Sequence, residues 1–165
     1  MILIFPGRDG LAMPLTVRHQ SLARHAGQVS LPGGALDAGE SAEAAALREV
    51  EEEIGVAASD VRVVGALSTL WVAVSNFVVS PFVAVTDARP AFRLHAGEVS
   101  TLIEAPLAAI RDPTRVRWDS RVRLGMPVRY PYFEFDGHVV WGATAMMLGE
   151  FACLFDAGHR PPHEE

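Results

Sequence analysis

The chain has 165 residues, half of them apolar and 21% charged, a balance that suits a globular fold with room for a substantial core. Its net charge of −6 argues against nucleic acid as a partner, because phosphate binding wants a basic face. The one cysteine, Cys153, excludes an intrachain disulfide and points to a reducing, cytoplasmic setting. MILIF before Pro6-Gly7 is too short for a secretory apolar region, and LWVAV and FVVSPFVAV are interrupted too soon to span a bilayer.

In chain order, Met1 to Phe5 and Leu11 to Val17 read as strands around the turn PGRDG. Gln28 to Leu31 is a short extended piece before Pro32-Gly33-Gly34. Ser41 to Ile54 is the clearest helix, rich in Ala, Glu and Leu and stopped by Gly55. Val61 to Leu67 and Phe77 to Val85 are β-branched strands, with Pro81 expected at an edge or bulge. Trp71, in an apolar stretch, is expected in the core, with stacking on a substrate base as the alternative. Glu104 to Arg111 reads as a short helix ended by Asp112-Pro113. Arg115 to Arg129 alternates basic and apolar residues, as exposed strands or a solvated loop would. Tyr132 to Phe135 and His138 to Trp141 form a hairpin around Asp136-Gly137, and Ala143 to Phe155 a last apolar helix, with Cys153 in the core. The expected organisation is a single α/β or α+β domain over 1–155 and a disordered tail over 156–165.

The helix carries the chemistry. Six of twelve glutamates fall between Glu40 and Glu53. At about 100° per residue, Glu49, Glu52 and Glu53 (i, i+3, i+4) share a face, with Leu47, Val50 and Ile54 roughly opposite and Glu51 turned away. Exposed like-charge pairs at this spacing cost only about 0.2–0.5 kcal/mol each, so a solvated acidic face is one reading. The other is a hard divalent cation, Mg²⁺ or Mn²⁺ rather than zinc, relieving the repulsion among partly buried carboxylates.

The segment from Gly34 to Val56 resembles the signature of the Nudix hydrolases: Gly34, Glu40, Arg48, Glu49, Val50, Glu52, Glu53, Gly55 and Val56 stand at every required spacing. The resemblance implies a Nudix α/β/α sandwich with a mixed β-sheet and a loop–helix–loop metal site. It implies divalent-metal-dependent hydrolysis of a nucleoside diphosphate linked to another group. By family pattern Glu49, Glu52 and Glu53 hold the metal with the Gly33 carbonyl, Arg48 orients the glutamates and Glu40 supports them. Glu98 and Glu49 are the candidates for the base, while Thr101 stands where relatives often carry Glu.

Upstream, LTVRHQSLARHAGQVSLPGG is similar to the extra motif of the coenzyme A pyrophosphatases within that family. Leu15, Thr16, Arg18, Gly27, Pro32, Gly33 and Gly34 match. Pro14, His19 and Leu31 depart from it, and Ala23 stands where a second arginine belongs, with Arg24 one place later. The resemblance implies coenzyme A or an acyl-CoA as small-molecule substrate, with Arg18, Arg24, Gly33 and Gly34 on the substrate side. ADP-ribose, NADH, a dinucleoside polyphosphate or a nucleoside triphosphate is the alternative substrate, and a non-catalytic nucleotide-binding module the second alternative.

Overall fold

A computed structural model describes residues 1–20, 27–73, 75–123 and 125–155. The tail expected over 156–165, and Ala23, Arg24 and His25, lie outside the described residues.

The elements are β1 (Ile2–Gly7), β2 (Gly10–Arg18), β3 (Val29–Ser30), α1 (Ala42–Ile54), β4 (Arg62–Ala66), β5 (Leu70–Val72), β6 (Phe77–Val79), β7 (Phe82–Val85), β8 (Val99–Pro106), α2 (Leu107–Arg111), β9 (Arg117–Arg123), β10 (Met126–Phe135), β11 (His138–Trp141) and α3 (Gly142–Cys153). The main sheet runs β3-β2-β1-β7-β4, with β8 also paired to β2. β1 and β7 are parallel and the other pairs antiparallel, so the sheet is mixed. Short sheets β11-β10-β9 and β5-β6 complete the strands.

The alternation of β1 builds two cores. Leu3 faces α1 with Val50, Ile54, Val56 and Ala84. Ile2 faces the opposite side, where Met13, Leu15, Ile103, Ile110, Phe133, Leu148 and Phe151 pack under α2 and α3. A strand buried on both faces reads as a continuous apolar run, which ILIF is. The result is the α/β/α sandwich expected from the sequence.

Four local readings need correction. Phe77 to Val85 is broken at Ser80-Pro81 into β6 and β7, and β7 lies between β1 and β4. Proline has no amide to give a ladder, so it ends one pairing before the next begins; its carbonyl accepts from the Leu67 amide at 2.9 Å. Only Leu107–Arg111 is helical in the segment from Glu104, because Glu104, Ala105 and Pro106 still belong to β8. β8 escaped the sequence reading although Val99, Ile103 and Ala105 keep strand alternation. Trp71 is 63% exposed on β5, and Cys153 is exposed at the end of α3, so neither is a core residue. No helix among the described residues is long and apolar enough to cross a membrane.

α1 is delimited chemically at both ends. The Ser41 hydroxyl accepts from the Ala44 amide at 3.1 Å, as an N-cap does. Gly55 adopts φ 70° and donates to the Glu51 carbonyl at 3.0 Å. Residues 93–95 then dock on the helix end: the Arg93 amide donates to the Ile54 carbonyl at 2.9 Å and the His95 amide to the Glu53 carbonyl at 3.0 Å. A Cβ at Gly55 would lie 2.7 Å from Arg93 Cβ and 2.9 Å from its carbonyl oxygen. Gly55→Ala therefore meets both a left-handed φ and a backbone collision. The expected loss is about 1–3 kcal/mol or more in urea unfolding; an unchanged midpoint would mean that this segment does not hold the helix end.

Candidate active site

The site is assembled from the loop at Pro32-Gly33-Gly34, the polar face of α1, the end of β2 and the segment before β8. The Met1 nitrogen donates to the Pro32 carbonyl, tying the loop to the start of β1. The Gly33 amide donates to Glu53 Oε2 at 3.3 Å. At Gly34, an added Cβ would sit 2.2 Å from Glu49 Oε1, so the Glu49 carboxylate occupies the space that a side chain would fill.

Arg48 is the hub. Its Nε and Nη2 donate to the two oxygens of Glu40, at 3.1 and 3.2 Å. Nη2 also reaches the Ala35 carbonyl at 3.0 Å, and Nη1 donates to Glu49 at 2.9 Å and Glu52 at 3.0 Å. The Glu40 carboxyl is held below the usual carboxylate range by hydrogen bonds from Arg48 and the Asp37 amide, and the Arg48 guanidinium is stabilised in its charged form by Glu40 and Glu49. One guanidinium thus joins the loop before the helix to two of the three clustered glutamates.

Glu53 stands apart from that hub. Its side chain is buried, only 3% of the residue remaining exposed. Burial pushes its carboxyl up to about 7; the Gly33 amide and Arg18 pull it down, while Glu49 and Glu98 push it up. Arg18, at the end of β2, is within electrostatic reach of Glu53, and its buried Nε has no hydrogen-bond partner among the described residues. Glu98 lies before β8, where its carbonyl accepts from the His19 amide at 2.7 Å and its amide donates to His95 at 3.0 Å. Its carboxylate is half exposed, 3.8 Å from His95 Nδ1.

The sequence-derived residues Arg48, Glu49, Glu52, Glu53, Gly33, Gly34, Arg18 and Glu98 thus come from four separate segments to one end of the sheet and helix. Arg24 is outside the described residues. Thr101 is within β8, paired with Val17. The sequence reading missed the Ala35 carbonyl, which Arg48 uses, and the docking of residues 93–95. Gly55 signals a helix end but not what packs on it.

The donor set suits a hard divalent cation: carboxylate oxygens on one helix face, one of them buried beside like charges and disfavoured as an anion without a cation. Among the described residues these carboxylates are not gathered into a single ligand cluster; Glu49 and Glu52 turn to Arg48, and Glu53 to the Gly33 amide.

An α/β/α sandwich with an arginine-ordered acidic helix behind a Gly-Gly loop is the arrangement that the Nudix resemblance implies. The NUDIX domain model matches residues 1–120, and the chain belongs to the Nudix family as a pyrophosphate hydrolase. Nudix hydrolases generally use divalent metals such as Mg²⁺ or Mn²⁺. An Escherichia coli K12 protein described as the uncharacterized Nudix hydrolase NudL is 38% identical over 139 residues, covering 84% of this chain and 72% of that protein. Its counterpart in Salmonella paratyphi B is 37% identical over the same coverage. Among solved structures, a MutT/nudix family protein from Enterococcus faecalis superposes with a TM-score of 0.59 at 15% identity, over 94% of this chain and 60% of that one. A C. elegans Ap4A hydrolase superposes with 0.55 at 19% identity, over 65% and 77%. These two likenesses are of fold alone.

Gly34→Ala probes the site directly. The atoms in the way are the end of a flexible side chain, so the fold is expected to keep its melting midpoint while Glu49 is displaced. Misplacing a catalytic group by about an ångström can cost on the order of 10²-fold in rate. Steady-state turnover and a thermal melt on the same preparation would separate the two effects, and wild-type turnover would show that Glu49 need not lie against Gly34.

Proposed function

We propose that the chain hydrolyses the diphosphate of coenzyme A or an acyl-CoA, releasing adenosine 3′,5′-bisphosphate and a 4′-phosphopantetheine product. The observation that carries this reading is Arg18. It is a matching residue of the upstream motif, and it lies in reach of Glu53 with a buried Nε donor to spare. A phosphate oxygen of the substrate supplies the acceptor that Nε lacks.

Two departures from the upstream motif are absorbed by packing. Leu31 is buried in the core under α3, so leucine for phenylalanine there alters packing rather than a substrate contact. Pro14 is buried in β2, opposite Glu104 of β8 and between the residues paired to β1 and those paired to β3, so it too is part of the sheet's packing.

In this reading Glu49, Glu52 and Glu53, with the Gly33 carbonyl, would hold Mg²⁺ or Mn²⁺. When bound, the ion offsets diphosphate charge and makes a coordinated water more acidic. Arg48 keeps Glu49 and Glu52 aimed along one helix face and fixes both to the loop through Glu40. Glu98 accepts a proton from the attacking water on its carboxylate, being half exposed and without an ion pair to Arg48; Glu49 is the other candidate for that role. Arg24 adds a second cation for the phosphates. The water oxygen forms a bond to phosphorus, the bridging oxygen leaves with the other phosphate, and no covalent enzyme intermediate is needed.

A second reading keeps the chemistry and changes the substrate to ADP-ribose, NADH, a dinucleoside polyphosphate or a nucleoside triphosphate. It is favoured by His19 and by Ala23, where the motif's serine and second arginine are missing. Chromatography of coenzyme A incubated with the protein and Mg²⁺ or Mn²⁺ tests the pair. Adenosine 3′,5′-bisphosphate is the expected product, and Glu52→Gln or Glu53→Gln is expected to reduce its formation by about 10²–10³-fold or more. Intact coenzyme A alongside turnover of another nucleoside diphosphate would favour the second reading; near-normal rates in both variants would remove the metal-site assignment.

A further inference from the structure

β9 is an open edge. It pairs with β10 on one side, and no strand among the described residues pairs with its other side. Open edges are usually short, charged or covered, because their free amides and carbonyls invite another strand. This one carries Trp118 at 53% and Val122 at 74% exposure. It also lies in the most basic part of an acidic chain: five of the fourteen arginines, and one aspartate, fall between Arg115 and Arg129.

The charge order along β9 specifies a partner. Take two copies antiparallel with Ser120 opposite the partner's Ser120. Asp119 then faces the partner's Arg121, and Trp118 faces the partner's Val122, and each pairing occurs twice by symmetry. Centring on Asp119 instead opposes aspartate to aspartate and Arg117 to the partner's Arg121. Centring on Arg121 opposes that arginine to itself and, although it sets Asp119 against the partner's Arg123, it parts Trp118 from Val122 and leaves Arg117 and Trp118 without partners in β9. Opposite charges across strands stabilise and like charges destabilise, and Ser120 is the midpoint of Arg117–Arg123, so the first register alone pairs the whole strand, matches Asp119 with Arg121 and sets exposed Trp118 against exposed Val122. Its outermost pair sets Arg117 against the partner's Arg123, but Arg117 is already ion-paired to Glu134 at 3.0 Å.

Before association both charges lean inward over β10 and β11. Asp119 accepts from the Tyr130 hydroxyl at 2.8 Å, and Arg121 stacks over Tyr130 at 4.6 Å and Trp141 at 4.1 Å. Arg121 has no ion-pair partner within 4.0 Å among the described residues. Pairing with a second copy would draw both side chains outward from these contacts, which lowers the gain from each charge pair.

We propose that β9 is a self-recognition strand, through which two copies of the chain join their β9 edges antiparallel about Ser120 into one continuous sheet. Such a contact is isologous and self-closing, so it gives dimers rather than fibres. The Ser120 amide donates to Asp119 Oδ1 at 2.7 Å within one chain, a bond that competes with pairing and keeps the association weak.

Sedimentation velocity of the full chain over a concentration series tests this, with thermal melts to confirm that each variant is folded. The parent is expected to show a monomer–dimer equilibrium. Val122→Glu, at a position with little to lose in the monomer, is expected to weaken it by about tenfold or more. Asp119→Arg and Arg121→Asp are each expected to dimerise poorly alone, since each makes both charge pairs repulsive, and an equimolar mixture of the two to recover dimers. A parent that is monomeric throughout, a Val122→Glu chain that associates as tightly as the parent, or a mixture that associates no better than its components would overturn the proposal.

Discussion

Arg48 is the constraint on which the acidic helix depends. A helix that lines up three carboxylates and buries one of them needs a counter-charge. A mobile cation could neutralise the charge, but it would not set direction. A guanidinium with five donors does both. Two donors face Glu40, one of these also reaches the Ala35 carbonyl, and a third is shared between Glu49 and Glu52. The loop before the helix and the helix itself become one unit, in which Glu40 and Glu49 are largely covered and Glu52 is exposed.

Glu53 is held by other means. Its side chain meets the Gly33 amide, while its own backbone carbonyl is taken by His95. Those two contacts come from opposite sides of the helix in sequence, one before it and one after. The residue with the most perturbed carboxyl thus joins the Gly-Gly loop to the segment that carries Glu98. Arg18 completes the enclosure from the end of β2, where the ladder with β8 shifts register between Val17 and Arg18. Strand irregularities of this kind re-aim a side chain, and here the redirected group is a cation beside a buried acid.

The sequence made α1 legible because every local signal agreed: Ser41 at the start, Gly55 at the end, and apolar and acidic positions on separate faces. The same agreement let β1, β2 and the hairpin of β10 and β11 be read in advance. β8 was not legible, because Glu104 and the alanines after it read as helix, and the strand's place was decided by its long ladder with β2. Trp71 and Cys153 were misread for a related reason: an apolar neighbourhood in sequence does not say which side of an element faces water. Spacing gave the glutamate face, and the Nudix resemblance its arginine. Burial of Glu53, the spare donor of Arg18 and the docking of residues 93–95 depend on contacts between distant segments, and single-sequence periodicity does not carry those.

The parallel pairing of β1 with β7 has a consequence for how the molecule comes together. Ile2 registers with Val83, so the first strand lacks one neighbour until some eighty residues of chain have been laid down. Leu3, the β1 residue in the core beneath α1, shares that core with Ala84 of β7. α1 can form its own turns early, since its caps are local, but its floor is incomplete until β7 arrives. Its last turn is incomplete until Arg93 and His95 follow. Long loops must close before such contacts contribute, which slows folding. The acidic helix is therefore early as a helix and late in its packing, and a nascent chain released before the middle of its length would carry the acidic motif intact without β7 beneath it.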